Sequence, residues 1–495
     1  ATIKELTKDG TFDFEIYFSE VFHEKGGFDV VIGNPPYVKE YTDRKAFDGL
    51  RLSLYYQGKM DLWYFFGCKG LDILKQKGVQ TFIAPNNWMT NAGASIFRNK
   101  LLKESKIVDF VDFGNYKVFD TASIQTMVYL LCKSNDNQNY VLNYSKLEKD
   151  NIDKNELELF LSNRNETPYS LKYQLNFDNS KYYDKFITFL EPKINNLVLK
   201  IKTKGTFTLA DNEVAQGIVA PQDFLNKKSK EKLGNKHNVG DGVFALTNSE
   251  KMNLNLTEKE NEDLIRPLFS SNEISRYYSN KSNQFWLIYT NSQFKNKNKI
   301  EKYPNIKKHL DNYKDIITSD NRPYGLHRSR DEKFFKDKKI ISLRKCSKPS
   351  FTYTNFSCYV LQTFFVIKTQ KINLKYLTGV LNSKLIEFWL RYQGKMQGDN
   401  FQIDKEPLMN IPIYKPNQDE EDKIVAIVDK IYEITNSEDY VENKEKQDAV
   451  KEYEKQIDIM VYKLYDLTYQ EVLIIDKDFS ISEEEYNIYK YRNMQ

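Results

Sequence analysis

Only four cysteines occur in 495 residues, Cys68, Cys132, Cys346 and Cys358, and they form neither a Cys-x-x-Cys pair nor a disulfide framework. Four histidines are equally scattered, so no zinc site and no other metal centre is expected. No apolar run reaches 18 residues and no signal-peptide pattern is present, which argues against a membrane partner and for a cytoplasmic protein. Neither sign of charge dominates: 73 Lys+Arg stand against 69 Asp+Glu, a net +4. The distribution is nevertheless uneven. Residues 416–495 hold 21 acidic and 10 basic side chains, a balance of −11, which leaves +15 on the residues before them. A basic body with an acidic tail suits a polyanionic partner. Aromatic content is high at 14%, with 34 Tyr and 32 Phe, a figure that a Lys/Asn/Ile/Tyr-rich chain from an AT-rich genome also produces.

The most informative stretch is Phe28-Asp29-Val30-Val31-Ile32-Gly33-Asn34-Pro35-Pro36-Tyr37. Phe28 to Ile32 reads as a short strand of the parallel-sheet kind, buried on both faces and bounded by glycines. Pro35 forces Asn34 out of the helical region, and Pro36 does the same to Pro35, so the strand ends in a rigid turn. The C-terminal end of a strand is where open α/β sheets place their ligands. The turn offers a side-chain amide, a free carbonyl and an aromatic face, a match for a planar base with an exocyclic amine.

Asn34-Pro35-Pro36-Tyr37 resembles the Asn-Pro-Pro-Tyr motif of N6-adenine DNA methyltransferases. The resemblance implies that the Asn34 amide oxygen and the Pro35 carbonyl accept the two N6 hydrogens of a flipped adenine. It implies that Tyr37 stacks on the base through its ring, so that phenylalanine in its place is expected to be nearly silent. Gly58-Lys59-Met60-Asp61-Leu62-Trp63, Phe82-Ile83-Ala84-Pro85-Asn86-Asn87-Trp88 and Val118-Phe119 are similar, in order and spacing, to later blocks of the same enzymes. They imply Phe119 as a second aromatic against the base, or else core packing. They imply Leu62, together with Asn34, beside the adenine of S-adenosylmethionine, with a helix-core role for Leu62 as the alternative. The family's glycine-rich cofactor loop and its acidic residue are not found; Gly240-Asp241-Gly242 has neither the strand nor the helix around it. The chain therefore reads as the later part of a methyltransferase, with most of the S-adenosylmethionine site on a missing N-terminal half or on a partner chain.

Along the chain, Thr11–Val21 alternates and reads as extended, entering the sheet. Lys39–Gln57 is polar and reads as a mobile loop over the site. Gly58–Gly78 reads as a helix with Trp63, Phe66, Gly70 and Ile73 on one face, followed by a strand at Val79–Ala84. Ala92–Lys103 reads as a helix, and Ile107–Phe113 and Ser123–Cys132 as strands. Residues 136–206 are polar and read as a linker with one or two helices. From Phe207 short strands alternate with basic loops, and a helix is expected at Tyr376–Tyr392. Arg322, Tyr324, His327, Arg328 and Arg330 lie in one loop; Arg344, Lys345 and Lys348 in a second; Lys395, Gln397 and Asn400 in a third. Such side chains neutralise phosphates and read base edges, or else form a solvated lysine-rich surface.

The region from Phe207 to Ile413 resembles the TaqI-like target-recognition domain of type IIG restriction–modification enzymes. The residues that carry the likeness are Gln216-Gly217-Ile218, Leu377-Thr378-Gly379-Val380-Leu381-Asn382-Ser383, and the run Gly394–Ile403 leading to Asn410-Ile411-Pro412-Ile413. Asp419–Thr435 and Glu442–Leu467 read as amphipathic helices bracing that domain. The expected fold class is α/β: a partial doubly wound, Rossmann-like methyltransferase sheet, a mixed α+β recognition domain and a helical tail. The expected domains are 1–135 catalytic, 136–206 linker, 207–415 target recognition and 416–495 tail. The expected function is site-specific adenine-N6 methylation of double-stranded DNA, with S-adenosylmethionine as cofactor, base flipping and no metal. The open alternatives are a non-catalytic DNA specificity subunit or remnant, and methylation of RNA or of a protein glutamine. No nuclease signature stands out; triplets such as Glu104-Ser105-Lys106 arise by chance in so lysine-rich a chain.

Overall fold

The computed structural model describes residues 12–119, 124–162, 166–234 and 236–489. The chain divides into two compact units, Ala1–Lys193 and Ile194–Gln495. Among the described residues no helix is long and apolar enough to cross a membrane, and no cluster of three or more metal-ligating side chains occurs.

The first unit is built on a six-stranded sheet: β1 (Phe28–Gly33), β2 (Leu74–Pro85), β3 (Ser105–Asp112), β4 (Thr126–Lys133), β5 (Tyr140–Leu147) and β6 (Ser170–Phe177). Their order is β1-β2-β4-β3-β5-β6. β1 runs parallel to β2 with Ile32 opposite Thr81, whereas β4 is antiparallel to both its neighbours. β3 is parallel to β5, and β5 is antiparallel to β6. The sheet is thus mixed rather than purely parallel.

The helix Trp63–Ile73 buries nearly its whole circumference. Gly67 lets the ring of Phe97 come so close that a Cβ would lie 2.4 Å from it. Phe97 in turn meets Trp63 and Trp88 edge-on, with centroids 5.0 and 5.3 Å apart. This aromatic knot fixes the helix against the sheet and so fixes the residues that flank the end of β1.

Several expectations change here. Thr11 lies outside the described residues, and most of the segment after it is helical, as Phe14–Tyr17 and the start of Ser19–Lys25. Phe14, Phe18 and Phe22 recur every four residues, which is helical spacing, and all three rings meet Phe28 edge-on at 5.3–6.3 Å. β1 is not buried on both faces. It pairs with β2 alone among the described residues, and Val30 and Ile32 are 55% and 78% exposed. The helix expected over Gly58–Gly78 is shorter at both ends. Leu74 already belongs to β2, and the register slips between Phe28 and Val30 where Lys77 takes a positive φ. Phe66 is exposed rather than in the core. Residues 136–206 contain β5 and β6, together with helices at Lys154–Ser162 and Pro192–Lys204. Lys39–Gln57 is anchored: Phe47 is fully buried, and Glu40 accepts from the Tyr56 hydroxyl and the Lys59 amide, each at 2.6 Å.

The second unit carries β7 (Val214–Gln216), β8 (Ala245–Thr247), β9 (Ile265–Phe269), the short pair β10 (Ile274–Ser275) and β11 (Tyr278–Ser279), and β12 (Phe285–Ile288). After these come β13 (Lys339–Leu343), β14 (Lys345–Cys346), β15 (Phe351–Thr354), β16 (Tyr359–Val360), β17 (Phe364–Ile367), β18 (Met396–Gln397) and β19 (Asn400–Gln402). They form two four-stranded sheets, β16-β9-β12-β8 and β15-β13-β17-β7, and a small three-stranded sheet, β14-β19-β18. The helix expected over Tyr376–Tyr392 is two helices, Leu374–Leu381 and Lys384–Gln393. Asn382 ends the first, and Ser383 caps the second. The tail forms helices at Gln418–Thr435 and Lys444–Leu464. Arg276 ties the tail to the body of this unit. Its guanidinium pairs with Glu454, and it also donates to the Pro349 carbonyl at 2.8 Å and the Asn382 carbonyl at 2.6 Å.

Candidate functional site

The two prolines hold Asn34–Tyr37 in an extended turn at the C-terminal end of β1. Asn34 and Pro36 are exposed and Pro35 is buried. The Tyr37 hydroxyl lies 2.9 Å from Asn34 Oδ1 and 2.9 Å from the Ile83 carbonyl oxygen. It has one proton to donate, so it ties either the Asn34 amide or the β2 backbone to the turn at any moment. Burial, reinforced by the Asp61 carboxylate, pushes the Tyr37 phenol up to about 12 and keeps that proton in place. Beyond the turn, Leu62 donates its amide to the Val38 carbonyl at 2.8 Å, and Glu40 donates to Met60 at 3.0 Å. The two segments are therefore clipped together antiparallel. Asp61, 2% exposed, sits in this clip. Its Oδ1 has no hydrogen-bond partner among the described residues, and burial raises its carboxyl to about 6.

Asn34, Pro35 and Pro36 form one wall of a 750 Å³ apolar pocket. Leu62, Ile32, Phe65, Phe66 and Phe82 line it, and Lys69 contributes a cation. Asn34 and Leu62 are thus brought together. Ile32, Phe66 and Lys69 were not read as site residues from sequence; Phe66 was placed on one helix face with Trp63, and only its 46% exposure marks it as pocket lining. The Phe119 ring lies 6.5 Å from that of Tyr37, tilted by 59°. The two aromatics are neighbours but not parallel walls.

The three basic loops of the second unit also converge. Arg328, Arg330 and Arg344 line one polar pocket with Gln216 and Lys333. Arg344 also lines a second with Lys345, Gln397, Gln362 and Gln402. The Ile403 amide donates to the Arg344 carbonyl at 2.7 Å, which holds two of the loops in register. Arg330 is half-buried and donates to Gln216 Oε1 at 3.0 Å, and Lys395 lies 3.8 Å from Asp404. Arg322 and Lys348 are exposed, while His327 and Asn400 are half-buried. Tyr324 departs from its expected role. It is buried, and its hydroxyl donates to Asp311 at 2.7 Å, so it packs the domain instead of presenting a surface. The glutamines Gln216, Gln362 and Gln402, and Asp404, were not singled out as site residues. Asp404 follows directly on the Gly394–Ile403 run.

Residues 2–119 match the Eco57I restriction-modification methylase family, and residues 266–413 match the TaqI-like C-terminal specificity domain. The chain is 22% identical over 422 residues to the type II methyltransferase M.HindII of Haemophilus influenzae, covering 79% of this chain and 75% of that protein. It is 20% identical over 435 residues to the type II methyltransferase M.BanIII of Aneurinibacillus aneurinilyticus, covering 81% and 72%. Its fold is similar to that of the type IIL restriction-modification enzyme MmeI, solved in complex with DNA. The TM-score is 0.54 at 12% identity, over 92% of this chain and 57% of that one. The chain therefore spans little more than half the length of that structure. Two stretches of the chain are thus similar, in order, to an Eco57I restriction-modification methylase and to a TaqI-like C-terminal specificity domain.

Proposed function

We propose that this chain provides the adenine-binding turn and the sequence-reading domain of a type IIG DNA adenine-N6 methyltransferase. The observation that carries the reading is the exposed Asn34 amide, held by Tyr37 at the rim of the apolar pocket. The Asn34 amide oxygen keeps a lone pair free beside the Tyr37 bond, and no donor reaches the Pro35 carbonyl among the described residues. Two acceptors side by side fit the two hydrogens of an exocyclic amine and raise electron density on its nitrogen. Neither a general base nor a covalent nucleophile is required of the chain. The target adenine reaches this turn flipped out of the duplex, with the Tyr37 ring as its stacking face and Phe119 as a second aromatic.

The donor group is S-adenosylmethionine, which supplies an electrophilic methyl. The pocket fits the flat faces of its adenine: Leu62, Phe65, Phe66 and Ile32 offer an apolar surface, and Asn34 offers an amide at the edge. Among the described residues no glycine-rich loop stands ready for the rest of the molecule, and we propose that a neighbouring segment or chain provides it. The basic loops of the second unit fit double-stranded DNA.

The test is nucleoside mass spectrometry of duplex DNA after incubation with S-adenosylmethionine and this protein, alone and with a chain that carries a glycine-rich cofactor loop. N6-methyladenine that disappears in the Asn34→Ala variant is expected. A methylated cytosine, or no methylated base, would overturn the reading.

A further inference from the structure

Arg344 is set apart from Arg322, Arg328 and Arg330 by an ion pair between its guanidinium and a carboxylate, Asp404. Its backbone is pinned on both sides, the amide donating to the Thr363 carbonyl at 2.9 Å and the carbonyl accepting from Ile403 at 2.7 Å. Its Nε donates to Asp404 Oδ1 at 2.6 Å, and Gln402 donates to the other oxygen of the same carboxylate at 2.8 Å. The side chain is 39% exposed, and the two terminal nitrogens make no hydrogen bond among the described residues. The guanidinium is therefore oriented by a carboxylate on one edge and open on the other. It stands where two polar pockets meet, one of them lined by Gln362, Gln397 and Gln402.

A cation meant for phosphate needs only charge and reach, and a flexible lysine serves for that. A fork locked in one plane costs less entropy on binding and suits a planar partner with two acceptors in a row. In the major groove that pattern belongs to guanine, whose O6 and N7 take an arginine bidentately. Gln362, Gln397 and Gln402 beside it are side chains that read base edges; Lys345 shares their pocket, and Arg328, Arg330, Lys333 and Lys405 line the other.

We propose that Arg344 is a specificity-determining residue that reads one guanine of the target site, with Asp404 as its positioning residue. The inference rests on the reading that the second unit binds duplex DNA.

The experiment is selection of duplexes from a randomised pool by the intact chain. The selected duplex and its single-base variants are then titrated. The unmodified protein is expected to prefer guanine at one position by about 10- to 100-fold. Arg344→Ala and the charge-keeping Arg344→Lys should both reduce that preference to about three-fold or less while preferences elsewhere persist. Asp404→Asn should weaken the same position alone. Lys345→Ala, by contrast, should lower affinity for every duplex alike and reduce the salt slope by about one. Equal loss across all sequences in Arg344→Lys would mean a phosphate contact and overturn the proposal, as would an unchanged guanine preference. Failure of the unmodified protein to select any sequence would instead overturn the DNA-recognition reading, and this inference with it.

Discussion

The hydroxyl of Tyr37 stands 2.9 Å from Oδ1 of Asn34, three residues earlier in the same turn. The sequence motif assigns Tyr37 to stacking, which needs only the ring. The geometry adds a second task, because the hydroxyl orients the amide that meets the substrate. Tyr37→Phe is therefore expected to lower kcat by about 2- to 10-fold, the worth of one hydrogen bond at roughly 0.5–1.5 kcal/mol. Tyr37→Ala loses in addition a stacking face worth about 1–3 kcal/mol. Steady-state methylation by the two variants separates the contributions. Full activity in the phenylalanine variant would mean that the bond to Asn34 is idle.

Asp61 yields a pH prediction. Burial raises its carboxyl from the ordinary carboxylate range to about 6. The folded state thus holds a proton that the unfolded chain releases between about pH 4 and pH 6. Stability contributed at this position falls as pH rises through that window. Asparagine carries no such cost. Chemical denaturation of Asp61→Asn against the unmodified protein should shift in favour of asparagine by about 1–3 kcal/mol between pH 4 and pH 8. A shift toward aspartate over the same range would contradict burial as the dominant influence on this carboxyl.

The outer edge of β1 has no strand beside it among the described residues. An apolar edge of this kind recruits other chains, and Asp29 is its one charged residue, paired with Lys75. The polypeptide on its own is expected to self-associate at micromolar concentration. Val30→Lys should suppress this while changing stability by no more than about 0.5 kcal/mol, as at other exposed positions. Sedimentation velocity reads both species. A monomeric unmodified protein, or association that Val30→Lys leaves unchanged, would mean that this edge is not adhesive.

The turn at Asn34–Tyr37 was legible because proline restricts the backbone locally, and local rules need no tertiary information. The strand before it was legible as a strand but not in its burial, since burial depends on neighbours that no residue of β1 encodes. Phe14, Phe18 and Phe22 show the ambiguity of short apolar patterns. Read with Phe12 and Ile16 they alternate, yet their fourfold spacing and the ring of Phe28 select a helix. β5 and β6 escaped notice because Asn143, Lys146, Lys172 and Asn176 dilute them. Their buried residues are few and split, Leu142 and Tyr144 of β5 joining the main core and Leu147 a small separate cluster. In the recognition domain the basic loops were visible as composition. The pairing of Arg344 with Asp404, 60 residues away, is a product of folding alone.

The central claim is that Asn34 acts on the substrate amine and contributes little to holding the duplex. The most direct measurement compares Asn34→Ala with the unmodified protein in two assays, methyl transfer and duplex binding by gel shift. Affinity from dispersed phosphate contacts should stay within a few-fold, while transfer falls to background. Parallel loss of binding and turnover, or turnover that survives the substitution, would contradict the account.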